Sequence, residues 1–308
     1  MKENKATLVT SLYNHGPNEI IGGRGWAFPF YAPPFRNILN LGLPIVIYTD
    51  TKMFGPVTSF MEEYCKTSYK IIEEPLTDFK FSKKILKIKE ASGHFKDGKL
   101  IKGSGIVNDR NTHLCLSKIY WLKRSASKNY FNSKKFYWID AGLFHHGIFP
   151  EKYGGMERLT KKFKDSSYYY PEYENTIFNP SMGQFLTNKI NKFLALVHTG
   201  MPTAPSIDAL LDIGKPKVGY IVGGLFGGTY NYINKVCTDF DTGLEIVLGN
   251  DQLVLEENLL SSISAYNKDH YEVFKFDQWH HDVEGEPCYY GASSKIKSFY
   301  KVFKDDFQ

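Results

Sequence analysis

The stretch ATLVTSL, residues 6–12, is a run of apolar and β-branched residues that ends at the turn-forming cluster YNHGP. Such a run is typical of a strand buried on both faces. Residues 43–49, LPIVIYT, repeat the pattern, and residues 69–72 form a shorter third example. A helical pattern at 56–65 separates the second from the third. This β-α-β-α-β opening predicts an α/β fold with a mostly parallel central sheet flanked by helices.

The fourth predicted strand, KFYWID at residues 135–140, delivers a carboxylate to its carboxyl end. Ligands of open parallel sheets bind beyond the carboxyl ends of the strands. That rule selects the turn after the first strand, Asp50 after the second, and the corner formed by Asp140, Ala141 and Gly142. The small residues of this corner leave room for a ligand. Asp140 suits a hard divalent ion shared with a diphosphate, and the alternative is a carboxylate that caps the following turn.

A glycine-rich segment, GGLFGG at residues 223–228, follows a predicted strand at 217–222. Paired glycines let a backbone approach a ligand closely, and a helix that follows offers its first amides to an anion. The alternative is a tight strand-to-helix turn. The spacing is not that of the dinucleotide-binding GxGxxG motif.

The segment GNDQ, residues 249–252, stands before an apolar-periodic stretch and is predicted to open a helix. Asn250 or Asp251 then fits the N-cap position. The functional alternative makes Asp251 a catalytic carboxylate, acting as a base or binding an acceptor.

Two histidine pairs, His145-His146 and His280-His281, are candidate metal ligands or ordinary loop residues. A literal Asp-x-Asp occurs at residues 239–241, but it falls at the end of a predicted helix. Residues two apart on a helix point in different directions. We therefore expect that motif to be solvated rather than to bind a metal.

Composition restricts the classes of partner. The formal charge is +5, from 38 basic and 33 acidic residues. No dense basic stripe appears, so no nucleic-acid partner is expected, whereas a phosphate-bearing small molecule or an anionic membrane surface fits. No window is apolar for 18 residues, so no membrane-spanning helix is expected, and scattered cysteines suit a reducing cytoplasm.

The order of WIDAG, GGLFGG, NDQ and the late WHHD segment resembles the HtrL/WlaTC (YibB-like) family of bacterial glycosyltransferases. The likeness covers about residues 6–282 and includes Gly-Arg-Gly at 23–25. It implies a GT-A-like, Rossmann-like fold that forms one glycosyltransferase domain over residues 1–308. The nucleotide-binding half would span about 1–142, and the acceptor and catalytic half about 143–308.

The resemblance also implies a donor site. The first strand would hold the nucleoside, Asp50 would contact the base or ribose, and Arg24 and Lys118 would lie towards the diphosphate. Asp140 matches one carboxylate of the usual Asp-x-Asp metal motif, but Trp138 replaces the other, so Mn²⁺ or Mg²⁺ would need a further ligand from His280 or His281. The implied donor-binding residues are Thr10, Ser11, Leu12, Tyr13, Arg24, Asp50, Lys118, Trp138, Ile139, Asp140, Ala141, Gly142, Gly223 and Gly224.

The predicted reaction is transfer of a hexose-like sugar from a nucleotide sugar, with a UDP-sugar as the first choice, to a hydroxyl of a cell-surface glycan. Capsule and lipooligosaccharide are examples of such polysaccharide products. Asp251 would be the base if the reaction inverts the anomeric centre. The expected location is the cytoplasm, with peripheral contact at the inner face of the membrane. The alternatives are a non-catalytic nucleotide- or glycan-binding module on the same fold and a metal-dependent phosphoesterase built on Asp140 and the histidines.

Overall fold

A computed structural model describes most of the sheet and the helices that cover it. The described residues are 4–13, 35–36, 38–91, 95–96, 99–100, 111–142, 178–198 and 205–276. Among them, no helix is long and apolar enough to cross a membrane.

The strands are numbered along the chain. Their bounds are β1 (Asn4–Leu12), β2 (Ile45–Thr49), β3 (Tyr69–Glu73), β4 (Phe95–Lys96), β5 (Lys99–Leu100), β6 (Ser133–Ile139), β7 (Phe193–His198), β8 (Tyr220–Thr229) and β9 (Tyr271–Phe276). Seven of them form the central sheet in the order β3-β2-β1-β6-β8-β7-β9, while β4 and β5 form a separate pair.

The central sheet is mostly parallel. Strands β3, β2, β1 and β6 are parallel neighbours, and β7 and β9 are parallel to each other. Strand β8 is antiparallel to both of its neighbours, β6 and β7. The chain therefore leaves β1 towards one edge of the sheet and returns to β6 on the other side of β1.

The helices follow the strands in alternation through much of the chain. Their bounds are α1 (Thr51–Tyr64), α2 (Ser82–Ala91), α3 (Asn111–Lys128), α4 (Phe178–Asn188), α5 (Pro205–Leu210), α6 (Tyr230–Gly249) and α7 (Glu256–Ile263). Two short 3₁₀ turns lie at Leu76–Asp78 and Lys268–His270.

Both faces of the sheet are covered, because successive strand residues point to opposite sides. On β6, Trp138 lies in a core with helices α3, α6 and α7. Its neighbours Tyr137 and Ile139 lie in a second core with α1 and α4. A strand buried on both faces is apolar at nearly every position, which explains the continuous run of residues 136–139 in the sequence. The predicted α/β class, with a mostly parallel central sheet flanked by helices, is confirmed.

The glycine-rich segment corrects one prediction, because GGLFGG lies inside β8 and is not a turn that follows a strand. A Cβ on Gly227 would stand 2.2 Å from the carbonyl oxygen of Phe136, and Gly227 has a φ of 143°. A Cβ on Gly228 would stand 1.9 Å from the carbonyl oxygen of Lys192. These glycines are needed because the backbones of the adjoining chain segments pass so close.

The segment GNDQ corrects a second prediction, because it closes α6 and does not open a helix. Asn250 is the C-cap of α6, and Asp251 has a φ of 54°. Asn and Asp tolerate the left-handed conformation that ends many helices. Helix α7 begins only at Glu256, with Leu255 in its N-cap position. Neither Asn250 nor Asp251 is therefore the N-cap that the sequence predicted.

Candidate active site

The topology selects one place on the sheet. Strand β1 lies between β2 and β6, and the connections from β1 and β6 lead to opposite sides. The carboxyl ends of these two strands therefore flank a topological switch point, where open α/β sheets bind their ligands. Asp140 is the first residue beyond β6. The corner predicted from the sequence thus lies at this point.

The Asp140 carboxylate is held from two sides. Its Oδ1 accepts a hydrogen bond from Trp138 Nε1 at 2.7 Å and lies 2.8 Å from Lys118 Nζ. Its Oδ2 lies 3.1 Å from the same Nζ, and its backbone N–H donates to the Gly224 carbonyl at 2.9 Å. The side chain is 36% exposed. A carboxylate has about four acceptor positions, so Oδ2 retains capacity for a further partner.

Lys118, on α3, is the centre of the cluster. Its side chain is only 5% exposed, and Nζ lies 2.6 Å from Glu256 Oε1 and 3.3 Å from the Gly223 carbonyl oxygen. Burial lowers the pKa of Lys118, but Asp140 and Glu256 raise it by more, so the pKa is held well above its ordinary value. The side chain therefore carries a positive charge at neutral pH.

Two carboxylates reach this cluster from the first turn of α7. Glu256 is buried, and burial raises its pKa while Lys118 opposes that rise. Glu257 accepts hydrogen bonds from Gly223 N–H and the Tyr220 hydroxyl, each at 2.8 Å. A Cβ on Gly223 would stand 2.3 Å from Glu256 Oε1. Glycine at this position is therefore a condition for the close approach of α7 to β8.

The cluster has a surplus of negative charge. Asp140, Glu256 and Glu257 are three carboxylates, and Lys118 is the one ammonium among the side chains described in their contacts. A diphosphate is itself anionic, so it would be repelled by this surplus. A divalent ion between the two would remove the repulsion.

Asp140 fits a divalent ion as one oxygen ligand, because Oδ2 has capacity and the carboxylate is already oriented by Trp138 and Lys118. Across the described ranges, no group of three or more His, Cys, Asp or Glu side chains converges to hold a metal. Further ligands would come from the diphosphate, from water or from other parts of the chain. His280 and His281, the predicted metal ligands, lie outside the described residues, as do His145 and His146.

The first strand contributes a buried wall. Thr10, Ser11, Leu12 and Tyr13 are all buried at the end of β1. The Tyr13 ring stacks on Trp121 with centroids 5.5 Å apart, and its hydroxyl donates to the Glu74 carbonyl at 2.7 Å. The Tyr13 side chain is thus used for packing, and contact of this segment with a nucleoside stays a prediction.

Other predicted donor-site residues are placed differently. Asp50 is the N-cap of α1, where its Oδ1 accepts the Met53 N–H at 2.9 Å. Ile139 is buried in the core, while Ala141 and Gly142 follow Asp140 in a turn. Arg24 lies outside the described residues.

Asp251 has a different environment from Asp140. Its side chain is 75% exposed and pairs with Lys84 Nζ at 2.8 Å. The Lys84 ammonium lowers the pKa of Asp251. The structure brings Asp140, Trp138, Lys118, Gly223 and Gly224 together, and the described contacts of Asp251 include none of them.

Two acids of the cluster, Glu256 and Glu257, were not predicted from the sequence. Acidic residues are common in the first turn of a helix, where they interact favourably with the helix dipole. Nothing in the local pattern distinguishes a buried, paired acid from an exposed one. The signal lies in the partner segments, above all in Gly223, whose missing side chain makes room for both acids.

The Asp-x-Asp at residues 239–241 has the predicted divergent geometry. Asp241 accepts from the Tyr120 hydroxyl and pairs with Lys80. Asp239 instead lies 3.8 Å from His270 Nδ1. The two carboxylates therefore point to different partners, although both lie within α6 and are half-buried rather than at a solvated helix end.

No protein-family model and no curated protein sequence matches the chain. Among solved structures, the apo form of mouse xyloside xylosyltransferase 1 is 9% identical, with 98% of this chain and 93% of the other covered and a TM-score of 0.42. Core-mannan synthase A from Aspergillus fumigatus, in its Mn/GDP form, is 7% identical, with 89% and 73% covered and a TM-score of 0.49.

A third similar structure is the inositol-1-phosphate CTP transferase from T. maritima. It is 9% identical, with 96% of this chain and 95% of the other covered and a TM-score of 0.42. Likenesses of this size do not fix a function, so the function proposed below rests on the residues of this chain. The resemblance to the HtrL/WlaTC family stays a prediction from the motifs.

Proposed function

We propose that the chain is a glycosyltransferase that moves a sugar from a nucleotide sugar to a hydroxyl of an acceptor glycan. The observation that carries this proposal is the placement of Asp140. It stands at the switch point of the sheet, Lys118 and Trp138 hold its Oδ1, and its Oδ2 keeps capacity for a further partner. This geometry suits a carboxylate that must present one oxygen to a metal-bound diphosphate.

In the proposed mechanism, Asp140 would hold Mn²⁺ or Mg²⁺, with His280 or His281 as the proposed further ligand. Such an ion neutralises the charge that develops on a departing nucleoside diphosphate. The chain's own contribution is orientation. Trp138 Nε1 and Lys118 Nζ fix the carboxylate, and buried Glu256 keeps Lys118 in place.

Deprotonation of the acceptor hydroxyl is a separate role from binding of the donor. Asp251 is the carboxylate proposed for that role in an inverting reaction. Its pKa is lowered by Lys84, and a carboxylate of low pKa is a weak base near neutral pH. Asp251 is given no part in holding the donor, because its described contacts include no member of the Asp140 cluster, so a variant without this carboxylate is expected to keep nucleotide and Mn²⁺ binding.

The finer parts of the proposal follow from the motif resemblance. They are a UDP-sugar donor, a hexose-like sugar, and an acceptor on a cell-surface glycan such as capsule or lipooligosaccharide. They also include one domain over residues 1–308 and action in the cytoplasm, at the inner face of the membrane. A moderate positive charge of +5 favours both the anionic donor and an anionic membrane surface.

The proposal is tested by thermal unfolding in the presence of UDP, GDP, CDP or ADP, each with and without Mn²⁺. A ligand that binds the folded state at 100 times its Kd stabilises it by about 2.7 kcal/mol. One nucleoside diphosphate is expected to raise the Tm, and Mn²⁺ is expected to increase that rise. Asp140→Asn should abolish the Mn²⁺-dependent part.

The control for this experiment is Asp251→Asn, which removes an exposed carboxylate and should keep the full shift. No response to any of the four nucleotides, with or without Mn²⁺, would contradict the proposal. A response without release of sugar from any donor would identify a binding module instead.

A further inference from the structure

Glu256 is a buried carboxylate for which the proposed mechanism has no catalytic role. It is 2% exposed, in the first turn of a helix whose other acid, Glu257, already satisfies a strand amide and a tyrosine hydroxyl. A buried carboxylate is costly unless it is paired. Its charged partner is Lys118, at 2.6 Å. That lysine is also the partner of Asp140, at 2.8 Å.

We propose that Glu256 is a positioning residue that acts on Asp140 through Lys118. One ammonium is shared by two carboxylates, one buried and one partly exposed. Glu256 draws the Lys118 charge into the protein and prevents Asp140 from neutralising it alone. The group of two carboxylates and one ammonium thereby keeps a net negative charge, and Asp140 Oδ2 keeps the acceptor capacity that a cation requires. This inference rests on the proposed metal role of Asp140.

The position of Gly223 in β8 supports the positioning role of Glu256. Gly223 places its carbonyl oxygen 3.3 Å from Lys118 Nζ, so the ammonium meets three acceptors on three different elements. A side chain at Gly223 would collide with the Glu256 carboxylate. The same backbone position thus anchors Lys118 and makes room for Glu256.

The test uses Glu256→Gln, which keeps the shape of the side chain and removes its charge. Lys118 is then compensated by Asp140 alone and is expected to move towards it. Loss of an outer partner of a metal ligand typically weakens metal binding about 10- to 100-fold. We expect a loss of this size in Mn²⁺ affinity, measured from the electron paramagnetic resonance signal of free Mn²⁺.

A second readout does not depend on any metal. The indole N–H of Trp138 donates to Asp140 Oδ1, so its NMR resonance reports the position of that carboxylate. Trp138→Phe assigns the resonance. In metal-free Glu256→Gln protein, this resonance is expected to shift, while the other indole resonances stay in place.

The matched control is Glu257→Gln, which removes the same charge one residue further along the helix. Glu257 bonds to Gly223 N–H and Tyr220, and no contact to Lys118 is described. Its effect on Mn²⁺ affinity should be smaller than that of Glu256→Gln. Glu62→Gln, on the exposed face of α1, should have none. Equal losses of Mn²⁺ affinity in Glu256→Gln and Glu257→Gln would show that only the net charge matters, and this would overturn the inference.

The outcomes separate this inference from the proposed function. If the wild type binds Mn²⁺, Asp140→Asn does not, and Glu256→Gln binds like the wild type with an unmoved Trp138 resonance, the inference is wrong and the function stands. If the wild type binds no Mn²⁺, the metal role of Asp140 fails, and the inference fails with it. Should Glu256→Gln not fold, Glu256→Asp retains the charge but shortens the reach to Lys118, and the same losses are expected in weaker form.

Discussion

Asp140 and Asp251 are two carboxylates that the sequence selects for similar reasons, and each pairs with a lysine at 2.8 Å. Their surroundings differ. Lys118, the partner of Asp140, is 5% exposed, whereas Lys84, the partner of Asp251, is 38% exposed and Asp251 itself is 75% exposed. Equal distances therefore describe a buried, shared ammonium in one case and a surface ion pair in the other.

The difference teaches that the partner's environment, more than the distance, decides what an ion pair does. An exposed pair is screened by water and contributes little to stability. A buried pair fixes its members, because leaving either of them unpaired is costly. Lys118 is held in one place by its buried pair with Glu256, and it orients Asp140 together with Trp138. A fixed orientation is the property that a metal ligand needs.

The largest effect is expected from Lys118→Met. It leaves Glu256 buried without a partner, and breaking a buried ion pair typically costs about 3–5 kcal/mol. Urea denaturation should show a loss of this order in the free energy of unfolding. Lys84→Met should change that free energy little. A double variant, Lys118→Met with Glu256→Leu, should recover most of the loss, and equal losses in the two single lysine variants would break the comparison.

The free energy of unfolding is expected to depend on pH for a reason unrelated to the ion pairs, namely the buried His113. This contribution has to be removed before the ion pairs are compared. Burial lowers the pKa of His113, on the same helix as Lys118, to about 4, and the nearby Lys89 adds to the effect. Above pH 6.5 the ring is neutral in both states. Below it the unfolded chain gains a proton that the folded chain does not, until about pH 4.

The stability is therefore expected to fall between pH 6.5 and pH 4, by about 3 kcal/mol for a shift of this size. His113→Leu should flatten this part of the curve in denaturant titrations at several pH values. An unchanged slope in that variant would show that His113 is not the cause. The remaining pH dependence can then be attributed to the carboxylates.

A glycine near each of the two carboxylates allows the packing around Asp140 and Asp251 to be compared, with a smaller expected effect on stability. Gly223 lies beside the Asp140 cluster, where an added Cβ would meet Glu256 Oε1 at 2.3 Å and Glu257 Cγ at 2.8 Å. Gly223→Ala should cost about 1–3 kcal/mol, as overpacking does. Gly249, two residues before Asp251, has no atom within 4 Å of its added Cβ, so Gly249→Ala should cost nothing measurable. A similar cost at both positions, by urea denaturation, would contradict the packing described.

The smallest effect is expected at Asp251. Asp251→Asn removes an exposed charge, and its ion pair with Lys84 is open to water. The midpoint of denaturation should stay close to that of the wild type. A clear fall in the midpoint would mean that Asp251 has a stabilising partner beyond Lys84, and its environment would then resemble that of Asp140.

The fold was predictable from the sequence because its central strands are buried on both faces. Residues 6–12, 43–49 and 135–140 are largely apolar or β-branched and carry turn signals or polar residues at their ends. The predicted position of Asp140 followed from the rule for parallel sheets. Strand β8 was not predicted in full, because Gly227 and Gly228 are explained only by backbone segments far away in sequence, and Gly223 only by two side chains of α7.

The cluster around Asp140 was predictable only in part. Lys118 was placed near the diphosphate by motif resemblance, and the structure brings it to Asp140. Glu256 could not be predicted, because an acid in a first helical turn is ordinary. The prediction that GNDQ opens a helix was wrong because Asn and Asp are common both as N-caps and at the left-handed position that ends a helix.

The most direct test of the central claim is donor hydrolysis, in which the nucleotide sugar loses its sugar to water when no acceptor is present. Wild-type protein should release sugar from at least one of UDP-, GDP-, CDP- or ADP-linked donors in the presence of Mn²⁺. Folded Asp140→Ala should release none, while Asp251→Ala keeps most of the wild-type rate. Full, Mn²⁺-stimulated hydrolysis by Asp140→Ala would contradict the claim that the donor site centres on this carboxylate.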